Sequence, residues 1–565
     1  MADFDFNYSD DLELRKLHAQ VLQDPEEFEH WEKLVRAAET QEGGLNRNSS
    51  PQAIAATRNT YDNFLARFPL FFGYWKKYAD LEFAIGGTEA AEMVYERGVA
   101  SVGTSVDMWT NYCAFKIETS HDADVIRELF DRAAESVGLD YLSHPFWDKY
   151  IEFEERLESP DHVFAVLGRV IHIPLHQYAR YWEKYQILAK TRPVDQLAPA
   201  EIIAKFREDA VGEGGQKQKN PAELERDLRT RIQNYHADLF KQTQTETTNR
   251  WTYEQNVKRP YFHVTPLDEE ELDNWRKYLD FEELEGDYTR TKFLYERCMV
   301  SCAKYDEFWY RYARWTMAEA GKHELDVEKR KMIRNEEVRN IYRRASCTYS
   351  LISSPAIRLQ YAKFEESVGK ADVAIDIHEA ILMKLSGHLE TIISLVNTYR
   401  RQYGADPAIG VLTGYINSQS FTSAVKGSLV AELARLQWKV KGDAVAARAT
   451  FTKYEQHCLD SQAFWQSWLF FERDQPGSEQ DEPARYASIK MVYETIRNKS
   501  ALPSDAIKIL SSYYLGYLED RGDSKAMEGW TDIDKDINGP VSIAMKANAK
   551  GQITQLENGH AIASA

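Results

Sequence analysis

Apolar residues recur along most of this chain at three- and four-residue intervals, the period of a helix with one buried face, and the alternation expected of strands is absent. Tryptophan makes the pattern easiest to see. Trp31, Trp75, Trp109, Trp147 and Trp182 are 44, 34, 38 and 35 residues apart, and Trp275 and Trp309 are again 34 apart. Four segments share an aromatic three residues after the Trp and a Glu seven after it: Trp75-Tyr78-Glu82, Trp147-Tyr150-Glu154, Trp275-Tyr278-Glu282 and Trp465-Trp468-Glu472. Trp109-Tyr112 and Trp309-Tyr312 keep the aromatic pair without that Glu. On a helix, offsets of three and seven lie about 60° and about 20° from the starting residue, so each trio shares one face.

A second motif follows 20 or 21 residues after the Trp: Tyr95-Glu96-Arg97-Gly98, Phe130-Asp131-Arg132-Ala133 and Tyr295-Glu296-Arg297-Cys298. Gly86-Gly87 and Gly286-Asp287 stand between the two motifs as turn signals. Pro145 and Pro355 mark the starts of later first helices, where proline is tolerated. The unit is therefore helix A, a short turn, helix B. One such pair cannot bury its apolar face alone, so neighbours must stack, which predicts an all-α solenoid.

The spacing predicts four regions: a repeat array over 1–190, a linker with an exposed loop and a long helix over 191–256, a second array over 257–530, and a disordered tail over 531–565. The linker helix shows a narrow stripe (Leu224, Leu228, Ile232, Tyr235, Leu239), and the loop is Val211 to Pro221.

Composition narrows the functions available. Aromatics at 12% and hydrophobics at 43% supply ample core, and the net charge of −19 opposes general attraction to phosphate or to anionic membranes. Five scattered cysteines form no disulfide framework and fit a reducing compartment. Cys298 and Cys302 lack further ligands at metal-site spacing and read as core thiols. The acidic N-terminus does not read as a signal peptide, and no run of about 18 apolar residues predicts a membrane span. Phosphate-binding, dinucleotide, zinc-protease and nucleophile-elbow motifs are missing, and His378-Glu379 has no second His, so no enzyme activity and no cofactor are expected.

The aromatic stripe (Trp75, Tyr78, Tyr95, Trp109, Tyr112, Trp147, Tyr150, Trp275, Tyr278, Tyr295, Trp309, Tyr312, Trp465, Trp468) recurs at a fixed register, which identifies it as core and not as a base-stacking platform. Glu82, Glu154, Glu282 and Glu472 recur once per repeat, as no single active site would. Arg97 and Arg297 are the expected partners of Glu82 and Glu282. The one clear basic cluster is Lys329, Arg330, Lys331 and Arg334, a candidate contact for RNA phosphate or an acidic partner. His263, beside Arg259 and Tyr261, reads as packing between the arrays.

Helix A with Trp-x2-Tyr-x3-Glu followed by Tyr-Glu-Arg-Ala resembles the half-a-tetratricopeptide (HAT) repeat. Phe71-Phe72-Gly73-Tyr74-Trp75-Lys76-Lys77-Tyr78, Asp107-Met108-Trp109-Thr110-Asn111-Tyr112 and Lys258-Arg259-Pro260-Tyr261-Phe262-His263-Val264, running on to Asn274-Trp275-Arg276-Lys277-Tyr278, are similar to the pre-mRNA-processing factor 39 family. The resemblance spans roughly residues 10 to 520. It implies a nuclear, non-catalytic scaffold of the U1 small nuclear ribonucleoprotein (snRNP) acting at 5′ splice-site recognition. It also implies contact with U1 proteins and, directly or through them, with U1 RNA and pre-mRNA, and pairing with a copy or a paralogue through the C-terminal array. A HAT scaffold of messenger-RNA 3′-end or ribosomal-RNA processing is the alternative, though it would not be expected to carry the Lys258–Val264 junction. A tetratricopeptide chaperone adaptor would need a basic groove where these helices carry bulky aromatics.

Overall fold

The computed structural model describes residues 12–212, 220–418, 421–477, 479–521 and 524–539. They form 26 α-helices joined by short turns, and no strand occurs among the described residues. Within each unit most helices adjacent in sequence pack on each other, the arrangement of an α-solenoid. Packing divides the chain after Ser350 into two compact units.

The first unit reaches from Leu12 to Ser350. Its helices start and stop where the local chemistry dictates. Ser105, Asp122 and Asp287 cap the helices Val106–Thr119, Ala123–Val137 and Tyr288–Ser301 by accepting from backbone N–H groups of the first turn. Gly286 closes the helix Glu269–Glu285 in a left-handed conformation (φ 79°) that a residue with a Cβ rarely adopts. A continuous core runs from Leu14 to Ala303. It includes Phe262 from the Lys258–Val264 junction, whose ring lies edge-on to Phe71 of the first repeats at 5.1 Å.

The helix Pro221–Asn256 is 36 residues long and opens with a capping box between Asn220 and Glu223. One stripe along it is buried: Leu228, Ile232, His236, Thr243, Thr247, Arg250 and Glu254. Its first half packs against the last repeat before it, with His236 edge-on to Trp182 and Tyr185. Its last turns are an ordinary helix B, because Tyr253 stacks on Tyr278 of the next helix A, with centroids 5.1 Å apart. Leu224, Tyr235 and Leu239, expected on the buried stripe, are only half-buried, and His236 lies between the last two in the core. Residues 213–219 of the expected loop lie outside the described residues, whereas Val211 and Gly212 still belong to the helix Ala200–Gly212.

The second unit starts at Leu351 and has its own core from Ile375 to Ala526. The tail expected to be disordered from residue 531 is helical through Asn538, within Ser524–Asn538. The reason is an apolar face: Trp530, Ile533 and Ile537 pack on the core behind Ala526. Residues 540–565 lie outside the described residues.

Candidate functional site

Every aromatic of the stripe is buried, including Trp75, Tyr78, Trp109, Tyr112, Trp147, Tyr150, Trp275, Tyr278, Trp309, Tyr312, Trp465 and Trp468. Each helix-B ring stacks nearly parallel on the helix-A ring of the next repeat. Tyr61–Tyr78, Tyr95–Tyr112, Phe130–Tyr150, Tyr295–Tyr312 and Phe451–Trp468 lie 4.4–5.6 Å apart at 3–10°. Such stacking adds to area burial and fixes the register between repeats. The last residue of the helix-B motif is small and buried. A Cβ on Gly98 would overlap Cε of Met108 and sit 3.2 Å from Cβ of Trp75, and Ala133 and Cys298 at the same motif position are fully buried.

The four recurrent glutamates are buried, and each is held by a bidentate Arg from the helix preceding it. Arg58 donates to Glu82 (2.7 and 2.7 Å), Arg127 to Glu154 (2.8 and 2.9 Å), Arg250 to Glu282 (2.6 and 3.0 Å) and Arg448 to Glu472 (2.7 and 2.7 Å). The expected partners, Arg97 and Arg297, are therefore not the ones used. They lie on the helix after the Glu and reach back one repeat instead: Arg97 to Asp62 and Arg297 to Glu254.

This second contact also repeats. The acid of the helix-B motif accepts from a Tyr hydroxyl and an Arg of the next repeat. Asp62 takes Tyr78 and Arg97, Glu96 takes Tyr112 and Arg132, Asp131 takes Tyr150 and Arg169, and Glu296 takes Tyr312 and Arg344. The guanidinium of Arg97, Arg132, Arg169 or Arg344 also lies over the Trp of its own repeat, 5.3–5.7 Å from the centroid. The Arg132 bond holds the Glu96 carboxyl below the usual range.

The partners missed in the sequence had a signal. Arg-x-x-Tyr/Phe occurs as Arg58-Tyr61, Arg127-Phe130, Arg250-Tyr253 and Arg448-Phe451, each ahead of a helix A that carries the Glu. Where helix A has Lys116 at the Glu offset, the helix-B position is Glu92, and the pair forms with its charges exchanged, at 2.7 Å.

The basic cluster is not one surface. Arg330 donates to the carbonyl of Glu324 at 3.0 and 2.6 Å and closes the turn before its helix, and Arg334 is half-buried. Lys329 and Lys331 are exposed on the helix Val327–Arg344, beside exposed Leu325, Val327 and Met332. His263 bonds locally, Nδ1 to the Thr265 hydroxyl at 2.8 Å. Cys298 and Cys302 are buried, with burial pushing the Cys298 thiol up, while Cys347 is exposed. Among the described residues no group of three His, Cys, Asp or Glu is placed to hold a metal, and no helix is long and apolar enough to cross a membrane.

Two family models match the chain: the PRP39 N-terminal HAT repeat over residues 15–187 and the PRP39 C-terminal HAT repeat over residues 248–401. The chain is 46% identical to pre-mRNA-processing factor 39 of Schizosaccharomyces pombe over 553 residues, 95% of this chain and 88% of that protein. It is 30% identical to the human protein of that name over 443 residues, 73% of this chain and 62% of the relative. It is also similar, at 23% over 309 residues, to the U1 small nuclear ribonucleoprotein component PRP42 of Saccharomyces cerevisiae, over 53% of this chain and 56% of that protein. The chain thus spans less than two thirds of the length of the human and PRP42 relatives.

Proposed function

The chain belongs to the pre-mRNA-processing factor 39 family, and from that premise we propose that it is a non-catalytic HAT scaffold of pre-mRNA splicing, working in the nucleus on the U1 snRNP at 5′ splice-site recognition. The observation that carries this reading is the matched pair of family repeats, supported by similarity to a protein named as a U1 component. The fate of the chemistry-bearing residues agrees with it. The recurrent carboxylates, guanidiniums and phenols are engaged in inter-repeat contacts, which favours a binding scaffold over a catalyst.

In this reading the array over 1–190, the 191–256 segment and the array over 257–530 each present helix surfaces for partners. The C-terminal array pairs with a second copy or a related HAT protein, and U1 proteins occupy the remaining surface. Lys329 and Lys331, with Arg330 and Arg334 behind them, form a secondary contact for RNA phosphate or an acidic partner. RNA reaches the assembly chiefly through its protein neighbours, as the net charge of −19 favours.

Affinity capture of the tagged full chain from nuclear extract, with sequencing of the co-purified RNA, tests this. Enrichment of U1 RNA is the expected result. Pre-ribosomal RNA, or messenger-RNA 3′-end factors without U1, would reject it. Light scattering of the purified chain tests the pairing, which predicts twice the monomer mass for a self-paired chain.

A further inference from the structure

Within the first unit, a cavity of about 300 Å³ lies where the early repeats meet the Lys258–Val264 junction. It is lined by Asp107, Asp140, His144, Tyr261, Trp275 and Arg297, among others. Its volume falls at the low end of the range for ligand pockets.

Charge in the cavity is unbalanced. Arg297 is buried and donates through both terminal nitrogens to Glu254, at 2.7 and 3.0 Å, and through Nε to Asp140, at 2.8 Å. Two buried carboxylates thus share one guanidinium; Asp140 lines the cavity, Glu254 lies outside its lining and also accepts from the Tyr278 hydroxyl, and Asp107 adds an exposed acid to the lining. A buried excess of negative charge is costly unless a cation or a proton joins it. Burial drives the Asp140 carboxyl above its ordinary value. Arg297 opposes that rise, while Glu254 and Asp107 add to it.

A second observation is independent of charge. Trp275 is only 1% exposed, yet its indole N–H has no partner. The indoles of Trp31, Trp75, Trp109, Trp309 and Trp465 all donate to the carbonyl six residues earlier. For Trp275 that residue is Glu269, already inside the same helix, where the carbonyl serves the helical ladder. A ring nitrogen of His144, Nδ1, is likewise buried and unpartnered. The cavity therefore offers carboxylates together with an unused donor.

That combination selects among ligands. A metal ion lacks an acceptor for the indole, and no metal-holding group of three ligands exists among the described residues. A phosphate backbone is repelled. The exposed ring of Tyr261 at the mouth suits a flat cation better than a compact ammonium. We propose that the cavity receives an arginine side chain from a basic segment of a partner polypeptide, the guanidinium meeting Asp107, Asp140 and Tyr261 and the peptide's carbonyls supplying acceptors. The inference goes beyond the splicing role and stands or falls separately from it.

Fluorescence anisotropy of the full chain with a labelled glycine–arginine peptide tests it, with citrulline and lysine versions as comparisons. Saturable binding by the arginine peptide is expected, with a loss of about tenfold for citrulline and a smaller loss for lysine. Asp107→Asn and Tyr261→Ala, both at exposed positions, should each weaken binding by about three- to tenfold. Trp275→Phe should weaken it with an unchanged helical circular dichroism spectrum. Glu285→Gln, at an exposed acid outside the cavity lining, should leave it unchanged. Equal binding of arginine and citrulline peptides overturns the proposal, as does an equal loss with Glu285→Gln or no saturable binding. Displacement by oligouridylate at the same site would assign the cavity to RNA instead.

Discussion

The first unit and the middle of the second solve the same stacking problem with different chemistry. From Pro51 to Arg344 successive repeats are joined by stacked rings, and most also by a buried or part-buried ion pair or by an acid shared between a Tyr and an Arg of the next repeat. Between Ala371 and Arg435 the stacked rings give way to aliphatic contacts: Ile392, Leu395, Val396, Leu412, Ile416, Leu429, Val430 and Leu433, with one bidentate ion pair from Arg401 to Glu366 at 2.7 and 2.6 Å. The buried Arg–Glu rung of the first unit returns at Arg448–Glu472. Helix pairs stack either way, so apolar burial suffices for the solenoid. The ladder adds directionality, because stacked rings and bidentate pairs are satisfied in one register only, whereas aliphatic surfaces tolerate sliding.

The comparison can be broken most severely at its best-buried rung. Arg250→Ala removes the bidentate partner of Glu282, leaving it only Arg290 at 4.0 Å, with both side chains of the lost pair almost fully buried, and should cost about 3 kcal/mol. Arg448→Ala removes the equivalent pair where the Arg is 43% exposed and water can replace it, so the loss should be nearer about 1–2 kcal/mol. Hydrogen-exchange protection of the helices Glu269–Glu285 and Gln462–Arg473 measures the two locally, and equal losses would contradict the burial argument.

In the aliphatic region, Leu412→Ala should cost about 2–5 kcal/mol through its cavity alone, read as lost protection of the surrounding helices. Charge exchange at one rung sharpens the contrast further. Glu82→Lys alone should cost about 1–3 kcal/mol, and adding Arg58→Glu should recover most of it, reproducing the natural Glu92–Lys116 arrangement. A double variant no more stable than the single one would show that the rung is not read as a pair.

Protonation probes each unit through one buried histidine. Burial lowers the pKa of His236 in the first unit and of His378 in the second. His378 contacts the Ala374 carbonyl at 2.6 Å and the Ser394 hydroxyl at 2.8 Å. Because the folded value lies below the unfolded one, the stabilising contribution is present above pH ~6.5 and is lost as pH falls, by up to about 1.4 kcal/mol per pH unit for each histidine. Unfolding followed at pH 7.5 and 5.5 should show this, and His378→Gln should remove the second unit's share. The smallest effect is expected from Lys329→Glu with Lys331→Glu: stability should change by less than about 0.5 kcal/mol while assembly at low salt weakens.

Much of the first unit was legible in the sequence, because Trp, Tyr and Glu at offsets of three and seven leave an unmistakable trace. The ladder-free helices were hard to read because no Trp lies between Trp315 and Trp438, and aliphatic stripes resemble any amphipathic helix. Partner choice was harder still. Arg97 lies only 15 positions beyond Glu82 and looks like its mate, whereas Arg58, 24 positions before it, is the one that pairs. The basic cluster shows the same limit from the other side, since Arg330 turned inward to a carbonyl while its neighbours stayed in solvent.

The sequence by itself determined helix, repeat and core, since these follow from periodicity and from the cost of exposing large rings. Only the tertiary structure decided which charges meet. A guanidinium reaches several acids on neighbouring helices, and the choice depends on helix crossing and on which carboxylate loses its water. For the same reason it took three dimensions to bring Asp140, Arg297 and the unpartnered indole of Trp275, drawn from distant repeats, around one cavity.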